Sequence, residues 1–292
     1  VIRIGNAPVS YGAFEVTVGI DDNVPSAGQV LDSVQQAGYE GIDLGPLGYF
    51  GLDDGLRDAL ETRGLLLAGG YVEIDVSTKE AVAAGFAELG RTCDQFDVVS
   101  PGAEPLFRPR PTVALLAPAA WRAGGDDSAR WGQILSVIED VVATCDKRGY
   151  EACLHNEVGT LLASQDSVIR ALEGSSAKLC LDTGHLVAAG GDPVAIIDGW
   201  RDRVSHVHLK DARPSPSGAP YEDATTLWDN DVFCRLGAGQ GRIDEVLGAL
   251  RRGGYAGWIL VEQDVLPRSA EAYAKAASDQ VENRRYLSER GW

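Results

Sequence analysis

Short apolar runs alternate with longer runs of helical period along this 292-residue chain. The short runs are IRIGNA (2–7), GIDLG (41–45), LLLAGGY (65–71), FDVVS (96–100), EACLHN (151–156), AKLCLD (177–182), RVSHVHL (203–209) and GWILVE (257–262). Most are nearly continuously apolar, as strands buried on both faces are. In the first helical segment, 24–37, Val30, Leu31, Val34 and Ala37 recur at helical spacing. Segments 53–62, 77–91, 128–147, 165–173, 192–200, 242–252 and 268–288 read the same way. Helix starts are signalled by Ser77 with Glu80 at capping-box spacing, by Ser164, and by Asp192 followed by Pro193.

Eight strand–helix pairs predict an α/β chain folded as a closed (β/α)8 TIM barrel, one domain spanning 1–292. The competing open, doubly wound sheet usually carries a glycine-rich phosphate loop after its first strand, and NAPVSYGAF lacks GxGxxG. The longest irregular stretches, 101–126 and 211–240, each follow a predicted strand. Both are expected on the carboxyl-end face as lid-like loops.

Composition narrows the partners. A net charge of −17 repels phosphate backbones and anionic lipid, so neither nucleic acid nor a membrane is expected. No run approaches the ~18 apolar residues of a membrane span. VIRIGNAPVS lacks the basic leader and apolar core of a secretory signal. Five cysteines without CxxC spacing favour a reducing compartment, hence a cytoplasmic location.

The chemistry concentrates at strand ends. All four histidines lie between His155 and His208. In VSHVHLKD, His206 and His208 share one face and Lys210 continues it. His206 lies deeper and is expected to be a satisfied core histidine; His208 is the better ligand. Lys210 could donate to an oxyanion or carry a proton, or be a solvated loop lysine. Asp182 ends a buried run and either binds a ligand or caps the next helix. His155 and Glu157 share a face, so either could be a ligand and the other a base. Glu262 closes WILVE, as a ligand or as a rim ion pair with an arginine. Jointly, Glu157 or His155, Asp182, His208 and Glu262 form a hard-to-borderline donor set. It suits a divalent cation, with Mn²⁺ favoured over Co²⁺, Mg²⁺ or Fe²⁺. Such a site polarises a carbonyl while a neighbouring base removes the adjacent proton. The resulting enediolate is reprotonated, as in an isomerase or epimerase, or expels a β-hydroxyl, as in a dehydratase.

LCLDTGHLVAAGGDP, HVHLKD and LHNEVGT, with APVSYGAFEV, GIDLGPLGYF and GLLLAGGYV, resemble the xylose-isomerase-like barrel superfamily. The similarity spans nearly the whole chain and is strongest to its inosose dehydratase and inosose isomerase branch. The resemblance implies a metal site built from a strand-5 residue, Asp182, His208 and Glu262, with His185 contacting substrate. Where the dehydratase pattern reads LHPHVGT this chain reads LHNEVGT, so Glu157 stands in place of a histidine. Asp43 stands where such relatives often carry Glu, in reach of a substrate hydroxyl.

The expected activity is therefore metal-dependent dehydration or isomerisation of a keto-polyol, with 2-keto-myo-inositol favoured. Glu157, Asp182, His208 and Glu262 are the expected metal ligands. His155, Glu157, Glu262 and Lys210 are the expected catalytic groups, and His185, Asp43 and Lys210 the substrate contacts. Cleavage of 3-oxo C-glycosides together with a small partner subunit is the alternative that the resemblance supplies. A non-catalytic sugar-binding barrel is a further one. A homo-oligomer is the other partner expected, since acidic barrels of this class often self-associate. Endonuclease activity is not expected, given the charge and a ligand set too poor in histidine for three zinc ions.

Overall fold

In the computed structural model, which describes residues 1–118, 121 and 128–292, eight parallel strands close on themselves. They are β1 (Ile2–Asn6), β2 (Gly41–Asp43), β3 (Leu66–Asp75), β4 (Arg110–Leu116), β5 (Cys153–His155), β6 (Lys178–Asp182), β7 (Val204–Leu209) and β10 (Gly257–Val261). Around the barrel the order is β1, β10, β7, β6, β5, β4, β3, β2. A short antiparallel pair, β8 (Asp211–Ala212) and β9 (Phe233–Cys234), stands outside the barrel. The fold is the expected single (β/α)8 barrel.

Helices α1 (Ala27–Ala37), α2 (Asp53–Glu61) and α3 (Lys79–Val99) follow the first three strands. After β4 come α4 (Ser128–Asp146), α5 (Gln165–Gly174), α6 (Thr183–Ala188), α7 (Pro193–Trp200), α8 (Ala224–Asp229), α9 (Ile243–Arg252) and α10 (Ala270–Ser288). Their apolar faces bury against the strands: Val30, Leu31 and Val34 of α1 are fully covered, as are Val246 and Leu250 of α9.

Three local expectations are corrected. Residues 96–100 are not a strand. Leu89, Cys93 and Phe96 are buried at spacings of four and three, so FDVV continues the packed face of α3 to Val99. The fourth strand is RPTVALL, inside the stretch expected to be the loop 101–126. Its Pro111 sits opposite Gly70, in a parallel ladder that runs from Gly69–Arg110 to Asp75–Leu116. Residues 119, 120 and 122–127 of that stretch lie outside the described residues. Finally, α3 is capped by Thr78, whose hydroxyl accepts from the Ala81 N–H at 3.1 Å, and not by Ser77. The Ser77 N–H donates to Asp75 instead.

Other signals stand as read. Ser164 caps α5, and Asp192 caps α7 with Pro193 in the first turn. The second long stretch, 211–240, contains β8, α8 and β9 and so carries its own order. All five cysteines are free and buried.

Candidate active site

Register sets the depth of each functional side chain. Asp182 at the end of β6 lies directly opposite His208 on β7, and His208 lies opposite Leu260 on β10. Glu262 follows β10 immediately. His155 ends β5, opposite Cys180. Four neighbouring strands therefore deliver His155, Asp182, His208 and Glu262 to one cleft at the carboxyl-end face.

The contacts are close and buried. His155 Nε2 lies 3.1 Å from His208 Nδ1 and 3.6 Å from Asp182 Oδ2. His208 Nδ1 lies 3.3 Å from Glu262 Oε1. Lys210 is no solvated loop lysine: it is 2% exposed. Its Nζ sits 3.0 Å from Asp182 Oδ2, 3.0 Å from Glu262 Oε2 and 2.7 Å from Asp264 Oδ1. Its stem crosses Gly184, where an added Cβ would come within 2.6 Å of Lys210 Cγ. The Phe233 ring lies 4.7 Å from its ammonium. Glu262 pairs with this lysine and His208, not with a rim arginine.

The charges follow from these contacts. Burial opposes ionisation of Asp182, but the Lys210 ammonium and the His185 and His155 rings outweigh it and hold the carboxyl well below its usual range. Glu262 is likewise held down, burial being overcome by His208 and Lys210. Burial alone would discharge Lys210, yet its three carboxylates keep it charged. Burial also disfavours charge on His155, but the neighbouring carboxylates of Asp182 and Glu157 push it up to about 10.

Glu157 stands apart from the cluster. It accepts a hydrogen bond from the Tyr71 hydroxyl (2.7 Å) and lies 3.5 Å from His155 Nδ1. The strand-5 side chain that touches Asp182 and His208 is His155. His206 is fully buried, as expected, but neither ring nitrogen has a hydrogen-bond partner among the described residues. It is a core histidine that is not satisfied. Burial, then the charges of His208 and Arg110, hold it neutral. Asp182 also caps α6, its Oδ1 accepting from the His185 N–H at 2.8 Å, while its Oδ2 faces Lys210.

Asp43, on β2, lines the same cleft. Its Oδ1 accepts from the Gly45 N–H (2.9 Å), and its Oδ2 is buried without a hydrogen-bond partner. Burial pushes its pKa up to about 6, against the opposing pull of His208. An acid with a raised folded-state pKa binds its proton more tightly folded than unfolded. Folding is thus penalised increasingly from about pH 4, the unfolded value, up to about 6. Asp43→Asn should remove the penalty and stabilise the chain by roughly 2–3 kcal/mol at pH 7, with no gain below about pH 4. Urea melts at the two pH values check this; equal stabilities at pH 7 would contradict it.

Five contributors to the cleft carried no expectation from the sequence. Asp264 shares the parity of Glu262 in WILVEQD and could have been found by continuing the alternation past the strand. Tyr71 and Glu73 share a face of β3, which extends four residues past the end of the apolar run. Phe14 and Trp228, with ring centroids 5.5 Å apart, also line the cleft. They come from the loop after β1 and from α8, far apart in sequence, and no local signal marks them. The cavity is ≈ 120 Å³.

A divalent cation fits this donor set. Asp182, His208 and Glu262 each offer one ligand atom, all within 4.8 Å of one another. Among the described residues, His208 Nε2 and Asp182 Oδ2 are buried with no hydrogen-bond partner, Asp182 Oδ2 having only its ion-pair contacts. One imidazole with two carboxylates is borderline-to-hard chemistry.

Residues 31–282 match the family described as the xylose isomerase-like TIM barrel. The chain belongs to this family. Among its relatives, an inosose dehydratase of Lacticaseibacillus casei is 25% identical, over 94% of each chain. The rhizopine catabolism protein MocC of Rhizobium meliloti is 28% identical, over 89% of this chain and 84% of that one. A D-allulose 3-epimerase from Methylomonas sp. superposes with a TM-score of 0.68 at 15% identity, over 99% of this chain and 98% of the other. A probable 3-DHS dehydratase, AsbF, from Bacillus anthracis gives 0.67 at 15% identity, over 98% of each. These two likenesses establish the shared barrel. No described helix is long and apolar enough to cross a membrane.

Proposed function

We propose that this chain is a cation-assisted lyase of the xylose isomerase-like family that dehydrates a keto-polyol, 2-keto-myo-inositol being the favoured substrate. The observation that carries the reading is the convergence of His155, Asp182, His208, Glu262 and Lys210 in one cleft, with three donors within 4.8 Å. The relatives named as dehydratases support an enzyme acting on sugars, and an inosose dehydratase covering 94% of this chain supports the substrate.

A divalent cation held by Asp182, His208 and Glu262, with Mn²⁺ favoured, would supply Lewis-acid polarisation of the substrate carbonyl. The chain's own groups do the rest. Lys210 and His185 orient the substrate oxygens at the cleft wall, and Asp43 Oδ2 is free to accept from a substrate hydroxyl. His155 and Glu157, 3.5 Å apart, form the acid–base pair. Glu157, outside the donor cluster, takes the proton from the carbon beside the carbonyl. The C–H electron pair becomes the new C=C bond as the β-hydroxyl departs, and the His155 proton completes the water that leaves. Glu262 is the alternative base, although Lys210 and His208 already engage both of its oxygens.

The structural likeness to a D-allulose 3-epimerase keeps one second reading in view, since the same proton abstraction followed by reprotonation is epimerisation. Incubation with 2-keto-myo-inositol in D₂O, with Mn²⁺ present, separates the outcomes. Dehydration is expected. Deuterium at the carbon beside the carbonyl without dehydration would favour the epimerase reading. Neither change would remove this substrate.

A further inference from the structure

Asp264 has no role in the reaction as drawn, yet it is one of the most committed side chains in the cleft. It follows Glu262 by two residues and turns inward on the same face, its side chain only 8% exposed. Its Oδ1 is the nearest carboxylate oxygen to the Lys210 ammonium, at 2.7 Å, and its Oδ2 faces His185 Nε2 at 3.4 Å. On the other side of that ring, Nδ1 accepts from the Val158 N–H at 3.3 Å. A ring nitrogen that accepts carries no proton, so the ring's proton lies on Nε2, directed at Asp264.

Lys210 has two other carboxylate partners, Asp182 and Glu262, and both belong to the donor cluster. A divalent cation there would draw those oxygens to itself and repel the ammonium. Asp264 lies outside the cluster and would be left to hold it. We propose that Asp264 is a positioning residue that ties Lys210 and His185 into one unit facing the substrate. The inference rests on reading those two residues as the substrate-orienting pair.

The test needs neither substrate nor bound cation, so it can fail independently of the functional reading. The chain has four histidines, and ¹⁵N-histidine labelling of the full chain reports only four imidazoles. Long-range ¹H–¹⁵N spectra should show His185 protonated on Nε2 in the wild type. In Asp264→Asn a carboxamide that accepts from His185 turns its NH₂ toward Lys210, and the reverse orientation fails His185. The His185 nitrogens should therefore move toward averaged tautomers while those of His206 stay in place. Asp264→Glu should restore the wild-type pattern. An unchanged His185 in Asp264→Asn would overturn the proposal. So would a wild-type ring protonated on Nδ1, a measurement that stands even where a variant fails to fold.

Discussion

Asp182→Asn is expected to lower activity on the keto-polyol by about 10³-fold or more while leaving the barrel folded. The substitution separates two roles that Asp182 combines. An asparagine oxygen can still accept from the His185 N–H, so the cap on α6 survives, Asn being as good an N-cap as Asp. The backbone bonds between residue 182 and the Asn156 side chain are untouched. What is lost is the charge at Oδ2, the atom facing Lys210 Nζ, His155 Nε2 and the donor cluster. An NH₂ group there meets the ammonium donor to donor. Steady-state rates and a thermal melt decide it. A variant with near-wild-type kcat would mean that Asp182 is only a cap.

Lys210→Met should be the most destabilising change at the site, by about 3–5 kcal/mol. It leaves Asp182, Glu262 and Asp264, all essentially buried, without the cation that all three contact. Methionine fills a similar stem, so the channel over Gly184 stays packed and the loss is mainly electrostatic. Added Mn²⁺ should recover part of it, because a divalent cation neutralises two of the same carboxylates. Melts with and without Mn²⁺ test both halves. A Tm within a degree or two of wild type, unresponsive to Mn²⁺, would contradict the charge cage.

Much of the cleft was legible because strand alternation is a strict rule. VSHVHLKD placed His206, His208 and Lys210 on one inward face, and the chain pairs Asp182 with His208 at the same height. Alternation gives a face but not a partner. It could not show that Lys210 would be enclosed by three carboxylates, or that His206 would find no hydrogen bond. Nor could it rank His155 against Glu157, which share a face. β5 ends at His155, and only beyond the strand does the backbone bring Glu157 to Tyr71 on β3.

The error at β4 has a different cause. FDVV is apolar enough for a strand, but Phe96 completes a helical stripe begun at Leu89 and Cys93. The real strand hides behind Arg110 and Pro111. Arg110 is nearly buried all the same, pairing with Glu151 and donating to the Ser205 carbonyl at the foot of β7. Those partners lie 41 and 95 residues away, beyond any local window.

The most direct test of the central claim is the metal content of the folded chain, measured by elemental mass spectrometry after mild chelation and reloading with Mn²⁺, alongside Asp182→Asn as control. About one equivalent is expected in the wild type and little in the variant. A folded wild type that retains no metal would contradict it.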